Sequence, residues 1–166
     1  MTVITRPGTS ADAKALVGII NPIIGAGGTT AHQTPFDEAR ITRHYIAPEQ
    51  IIRCTVAELN GKVSGFQTLM WPDEEGDSFP EGWAIIASFV AQEAAGNGIG
   101  RALFEATKVA ALAAGVTTID ATIRADNAGG LAYYSSLGFV DYEVLAAVPL
   151  RDGTLVDRVR KRLDLD

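Results

Sequence analysis

The sequence predicts an α/β protein of the α+β kind: a mixed, mostly antiparallel sheet flanked by helices, with one βαβ unit inside it. Three observations carry this expectation. Alternating apolar stretches flank Asn60-Gly61, the residue pair of a tight two-residue hairpin turn. A continuous apolar run from Trp83 to Val90 leads into Gly96-x-Gly98-x-Gly100, then a helical repeat, then another strand pattern, which is the order of a parallel crossover. Two further strand patterns follow, joined by Arg151-Asp152-Gly153-Thr154. With 166 residues and no repeat, low-complexity stretch or linker, one domain over 1–166 is expected.

Taken in order, Val3-Ile4-Thr5-Arg6 is a short strand, and Thr9-Ser10-Ala11-Asp12 supplies side-chain oxygens that can cap the open amides of a helix. In that helix Leu16, Ile19, Ile20 and Ile23 fall on one face; Pro22 is expected to kink or end it near Asn21, with loop over 25–30. A second helix is expected over 35–46, followed by the hairpin across 55–69. Residues 72–81 carry Asp73, Glu74, Glu75, Asp77 and Glu81, whose mutual repulsion favours a solvated loop. The run 83–90 lacks alternation, as a central strand covered on both faces does. In the helix after the glycine turn, Leu103, Ala106, Val109 and Ala110 read as the apolar face and Gly115 as the stop. Ile119, Ala121 and Ile123 then alternate with Asp120, Thr122 and Arg124 as the parallel strand. Asp126-Asn127 caps a short helix whose Leu131, Tyr134 and Leu137 share a face, and Gly138 ends it.

Composition excludes several classes of function. Against 20 Asp+Glu stand 14 Lys+Arg, a net charge of −6, and affinity for nucleic acid comes mainly from clustered Lys and Arg, so no nucleic-acid partner is expected. Cys54 is the single cysteine, and no Cys/His cluster has zinc spacing, so neither an internal disulfide nor a metal is expected. No apolar run approaches the ~18 residues of a membrane span. A soluble, cytoplasmic protein with no membrane partner is the expectation.

The turn at 96–100 presents bare backbone N–H groups at a helix N-terminus, which favours phosphate or pyrophosphate, while glycine lets the ligand approach closely. It is not the phosphate loop of nucleotide hydrolases, because Gly100 is followed by Arg101-Ala102 rather than Lys and Ser or Thr. A dinucleotide-binding turn needs a third glycine where Arg101 stands, although Asp120 lies near the distance of a ribose-binding acid. A purely structural connection between tightly packed elements is the other reading.

Ala95-Gly96-Asn97-Gly98-Ile99-Gly100-x-x-Leu103 resembles the acyl-CoA pyrophosphate loop, Gln/Arg-x-x-Gly-x-Gly/Ala, of the GNAT superfamily of N-acetyltransferases. Asn127, Tyr134 seven residues later and Gly138-Phe139 resemble the family's second signature, and the order of elements agrees over nearly the whole chain. The resemblance implies a GNAT-like fold, acetyl-CoA as co-substrate, and transfer of its acetyl group to a primary amine of a small molecule by direct attack in a ternary complex. It implies that backbone near Phe89 and Val90 holds the acyl carbonyl, that Ala95, Gly96, Asn97, Gly98, Ile99, Gly100 and Arg101 hold the pyrophosphate, and that Asn127 contacts the pantetheine arm. Ala95 departs from the family's Gln or Arg, so the backbone amides must carry the pyrophosphate, with Arg101 as a substitute charge. Ala11-Asp12, Ile19-Ile20-Asn21, Asp152-Gly153 and Val156-Asp157 are similar to the branch that acetylates phosphinothricin and related amino acids. That likeness implies an amino acid or analogue as acceptor; polyamines, aminoglycosides and protein N-termini are the alternatives that stay open. Members of the family often pair, so a homodimer is among the implied states.

The resemblance also makes Tyr134 the acid for the departing CoA thiolate, since a phenol of pKa about 10 is protonated at neutral pH. Tyr134 shares its helix face with Leu131 and Leu137, so a core role is the competing reading, and Asn127 can equally be a plain helix cap. Tyr133 points about a quarter turn away. No Asp or Glu lies within 85–90; Glu81 at the strand's start is the candidate base, with Glu93 next nearest. His32 and His44 serve only if the N-terminal helices fold over the cleft, and the acidic loop can attract a cationic amine. Two other functions stay open: a noncatalytic acyl-CoA sensor on the same fold, and a dinucleotide-binding oxidoreductase.

Overall fold

The computed structural model describes residues 2–76 and 78–166; Met1 and Asp77, the latter within the acidic loop, lie outside the described residues. Seven strands form one sheet among the described residues: β1 (Val3–Pro7), β2 (Ile51–Leu59), β3 (Lys62–Met70), β4 (Trp83–Val90), β5 (Thr118–Arg124), β6 (Val140–Pro149) and β7 (Leu155–Asp164). Their order is β1-β2-β3-β4-β5-β7-β6, and β4 with β5 is the parallel pair in an otherwise antiparallel sheet. Four α-helices accompany them among the described residues: α1 (Ala13–Ala26), α2 (Glu38–Ile41), α3 (Ile99–Ala113) and α4 (Ala128–Ser136). The expected mixed sheet and its β4-α3-β5 crossover are both present. The hairpin turn has Asn60 at φ 52 and Gly61 at φ 83, as a primed turn demands.

Three local expectations are corrected. First, α1 runs through Pro22 to Ala26 instead of ending near Asn21. Proline removes one helical hydrogen bond, but burial of Ile24 holds the last turn, and the Asn21 side chain clamps Phe36, donating to its carbonyl at 3.0 Å and accepting from its N–H at 2.8 Å. Second, the helix expected over 35–46 begins only after Asp37, whose carboxylate caps α2 by accepting from the Arg40 N–H at 2.7 Å. It then widens into a π turn over Thr42–Ile46, closed by Ala47 N–H donating to the Thr42 carbonyl. Third, the buried face of α3 is Ile99, Leu103, Phe104, Thr107 and Ala111, while Val109 is 69% exposed. Phe104 packs edge-on against Phe139 and sets the helix rotation.

One apolar core joins Leu16, Ile20 and Ile41 to Val56 and Phe66, and a second joins Phe104 and Ala111 to Ile119, Ala121 and Phe139. Between them the sheet opens. β3 pairs with β4 from Gly65↔Val90 to Met70↔Ile85, whereas β5 meets β4 only at Trp83, Ala84 and Ile85. Residues 86–90 therefore keep one backbone edge without a strand partner among the described residues, and this wedge positions the cleft. No helix among the described residues is long and apolar enough to cross a membrane, and none of their His, Cys, Asp and Glu groups gathers into a metal-holding cluster.

Candidate active site

A cavity of about 640 Å³ fills the wedge, walled by β4 at Ser88, Phe89 and Val90, by the glycine turn, and by the start of α4. Ala91 N–H donates to the Ser64 carbonyl at 2.8 Å. In an antiparallel ladder hydrogen-bonded pairs alternate, so Phe89, opposite Phe66, turns its N–H and C=O toward β3. The backbone groups of Ser88 and Val90 are left facing the cleft, a row of donors and acceptors for an extended amide ligand or a carbonyl oxygen.

The glycine turn forms the second wall. Gly98 holds φ 76 as the N-cap of α3 and supplies no capping side chain, so the first-turn amides of Ile99, Gly100 and Arg101 are open to an anion. Gly100 has a different task. A Cβ there would lie 2.7 Å from the Tyr133 ring, and the Tyr133 hydroxyl donates to the Gly100 carbonyl at 2.6 Å. Ala95, Gly96 and Arg101 line the wall as well. Asn97 lies outside it: its side chain folds back to donate to the Ala94 carbonyl at 2.9 Å. Gln92, three residues before Ala95 and exposed, also lines the wall, a polar side chain that the alignment of the loop motif on Ala95 passes over.

A chain of hydroxyls crosses the floor. Gln67 Nε2 donates to Ser88 Oγ at 2.7 Å and to Tyr133 Oη at 3.0 Å, and Ser88 Oγ lies 2.8 Å from Tyr134 Oη. Ser88 already accepts from Gln67, so its proton can go to Tyr134, and the Tyr134 proton is then left for a ligand atom. Burial pushes the Tyr134 phenol well above its ordinary range, against the smaller opposing pull of Ser88. Burial likewise pushes Tyr133 up to about 12, so both rings stay protonated at neutral pH. Asn127 both lines the cleft and caps α4: its Oδ1 accepts from Gly130 N–H at 2.9 Å, and its Nδ2 donates to the Thr29 carbonyl at 3.0 Å.

That last bond ties an N-terminal strap over the opening. Thr29 and Thr30 line the cavity, and Arg124 Nη1 donates to the Thr30 carbonyl at 3.0 Å. His32 follows, with Nε2 2.5 Å from Tyr45 Oη. Burial, reinforced by His44, Arg40 and Arg158, pushes His32 down to about 4, so it is neutral at physiological pH. A second cavity of about 210 Å³ continues from the first past Ser88, Tyr133 and Tyr134 toward Arg124 and Arg158.

The carboxylates expected at the site are elsewhere. Glu81 is exposed before the first residue of β4, roughly 20 Å of extended strand from Ser88, and the rest of the acidic loop leaves the sheet at that same far end. Glu93 pairs with Lys62 at 3.8 Å on the surface. Asp120 is buried in the middle of β5, outside both cavity walls, where it accepts from Thr122 Oγ1 at 2.8 Å and from Tyr142 Oη at 2.5 Å. β4 is eight residues long, so Glu81, which precedes it, lies a strand's length from the cleft at Ser88.

Residues 25–139 match the model of the acetyltransferase (GNAT) family. A search of curated proteins finds no match. Among solved structures, the chain is similar to ribosomal-protein-alanine N-acetyltransferase from Brucella melitensis, 26% identical over 98% of this chain and 99% of that one, with a TM-score of 0.83. It is similar to an N-acetyltransferase from Staphylococcus aureus Mu50, 22% identical over 100% of both chains, with a TM-score of 0.83. It is also similar to a GNAT superfamily phosphinothricin acetyltransferase from Sinorhizobium meliloti, solved in complex with AcCoA, 22% identical over 99% of this chain and 89% of that one, with a TM-score of 0.80.

Proposed function

The chain belongs to the GNAT acetyltransferase family, and we propose that it transfers the acetyl group of acetyl-CoA to the primary amine of a small molecule by direct attack in a ternary complex. One observation carries the reading: an unpartnered strand edge, an uncapped glycine-rich helix N-terminus and a buried protonated phenol share one cleft system. Their chemistry fits the co-substrate. The open amides of Ile99, Gly100 and Arg101, with the Arg101 charge, suit a pyrophosphate, and with alanine at position 95 they carry most of that contact. The edge at Ser88 and Val90 suits the amides of a pantetheine arm.

Acetyl-CoA supplies an activated thioester when bound. The inward N–H groups of Ser88 and Val90 are the donors that stabilise negative charge growing on the acyl oxygen. The amine nitrogen bonds to the acyl carbon, the carbon–sulfur bond breaks, and Tyr134 donates its proton to the sulfur. The attacking nitrogen is deprotonated by water, in a cleft whose described walls hold no Asp or Glu. Tyr134 regains a proton from solvent, and the products are an amide and the free thiol.

Titration calorimetry with acetyl-CoA, with NADH in parallel, tests the reading. Saturable binding of acetyl-CoA and none of NADH is expected. Absence of acetyl-CoA binding at millimolar concentration would return the glycine turn to a structural connection and remove the basis of the proposal.

A further inference from the structure

We propose that the smaller cavity is the acceptor subsite and that Arg158 reads a carboxylate on the acceptor, so that the amine acetylated belongs to a compact amino acid. This rests on the acetyl-transfer reading above and adds to it the residue that selects the substrate. Three observations support it.

The charge of the cavity runs against that of the protein. The chain carries a net −6, yet the charged side chains lining the smaller cavity are Arg124 and Arg158, with no Asp or Glu among its described walls. These two arginines stand directly opposite each other across the β5–β7 ladder, an arrangement of like charges that destabilises a sheet unless something lies between them.

One of the pair is neutralised and the other is not. Arg124 makes a two-pronged bond to Asp126, at 2.9 and 2.7 Å, besides its bond to Thr30. The Arg158 side chain makes no hydrogen bond or ion pair among the described residues, and its Nε is buried without an acceptor. Its neighbour Asp157 offers no relief, because successive strand residues face opposite sides and the Asp157 carboxylate accepts from Ala147 N–H. A planar guanidinium with spare donors facing a small cavity suits a two-oxygen anion, and a carboxylate meets it with two parallel bonds.

The cavity has the right ends. Ser88 and Tyr134, which flank the proposed reacting carbon, line it together with Arg158. An acceptor can therefore set its nitrogen at the hydroxyl end while its carboxylate rests on Arg158, and a volume of about 210 Å³ limits it to a compact molecule.

The test uses the full chain with saturating acetyl-CoA and follows thiol release with the common L-amino acids, β-alanine and 4-aminobutyrate. Each is set beside its carboxamide, which keeps the shape and removes the charge. At least one acid is expected to exceed its carboxamide by about tenfold or more in kcat/KM, and Arg158→Gln to raise KM for that acid by a similar factor while kcat changes little. The variant should bind acetyl-CoA as the parent does in calorimetry and unfold at the same or a higher temperature, because it removes a like-charge pair; a merely structural arginine would lower the unfolding temperature and leave KM alone. Carboxamides accepted as well as acids, or an unchanged KM in the variant, would overturn the proposal and leave acetyl transfer standing. Thiol release with no amine at all would remove both.

Discussion

At the scale of single residues, the direction of one proton is decisive. Tyr134 is 6% exposed, and among the described residues its hydroxyl has one hydrogen-bond partner, Ser88, which Gln67 already supplies with a donor. Tyr134→Phe is therefore expected to lower kcat about a hundredfold or more with little change in KM for acetyl-CoA, measured by steady-state thiol release. Unchanged turnover would assign Tyr134 to the core. His32 gives a prediction of a different kind. Its folded-state pKa of about 4 lies below the ordinary 6.5, so the unfolded chain binds more protons between those values, and stability falls as pH drops through that window. Asp12, held low chiefly by its bonds to Arg6, is lost only below the ordinary carboxylate pKa of 3.8. Urea midpoints between pH 7 and pH 4.5 should decline for the parent and decline less for His32→Gln. Tyr134 and Asn127 were legible in the sequence because they sit in one short signature. Gln67, Ser88 and Tyr133 were not, because Gln67 and Tyr133 lie 66 positions apart and meet only once β3 and α4 are placed. Tyr133, read as pointing away, faces Gly100 while its neighbour Tyr134 faces Ser88, so α4 offers both rings to the cleft system.

At the scale of elements, the entry of α3 and its contact with α4 set the anion wall. Gly100→Ala places a methyl group against the Tyr133 ring, 2.7 Å away, and the ring's bond to the Gly100 carbonyl must shift with it. Acetyl-CoA affinity is expected to fall about tenfold by calorimetry, with the far-ultraviolet circular dichroism unchanged. Unaltered affinity would show that the wall tolerates the movement. Periodicity was a good guide to which elements form and a poor one to how they turn. The hairpin at Asn60-Gly61 and the β4-α3-β5 crossover follow from local residue order. The buried face of α3 was misplaced because a 3.6-residue period allows several faces in an alanine-rich helix, and Phe139, far along the chain, chooses among them. The parting of β4 from β5 after Ile85 has no local signature, since it depends on how two distant strands are paired on their outer sides.

At the scale of the whole molecule, the sheet ends in an edge that leaves apolar side chains in solvent. β6 is the last strand in the order, and Val140 and Val144 on it, with Leu155 on β7, are 61%, 62% and 62% exposed. Were the chain to pair through this edge, Val144→Lys would shift the sedimenting species toward monomer while leaving acetyl-CoA binding intact; an unchanged sedimentation coefficient would rule the edge out as a contact. The described residues of the acidic loop, by contrast, precede the far end of β4 from Ser88 and line neither cavity. The central claim is that this cleft moves an acetyl group rather than merely holding its carrier. The most direct test incubates the protein with acetyl-CoA and the amine panel and quantifies CoA thiol and acetylated amine by mass spectrometry in the same sample. Equal amounts of both, with protein catalysing many turnovers, is the predicted result; saturable acetyl-CoA binding with neither product formed would contradict the claim and make the chain a sensor.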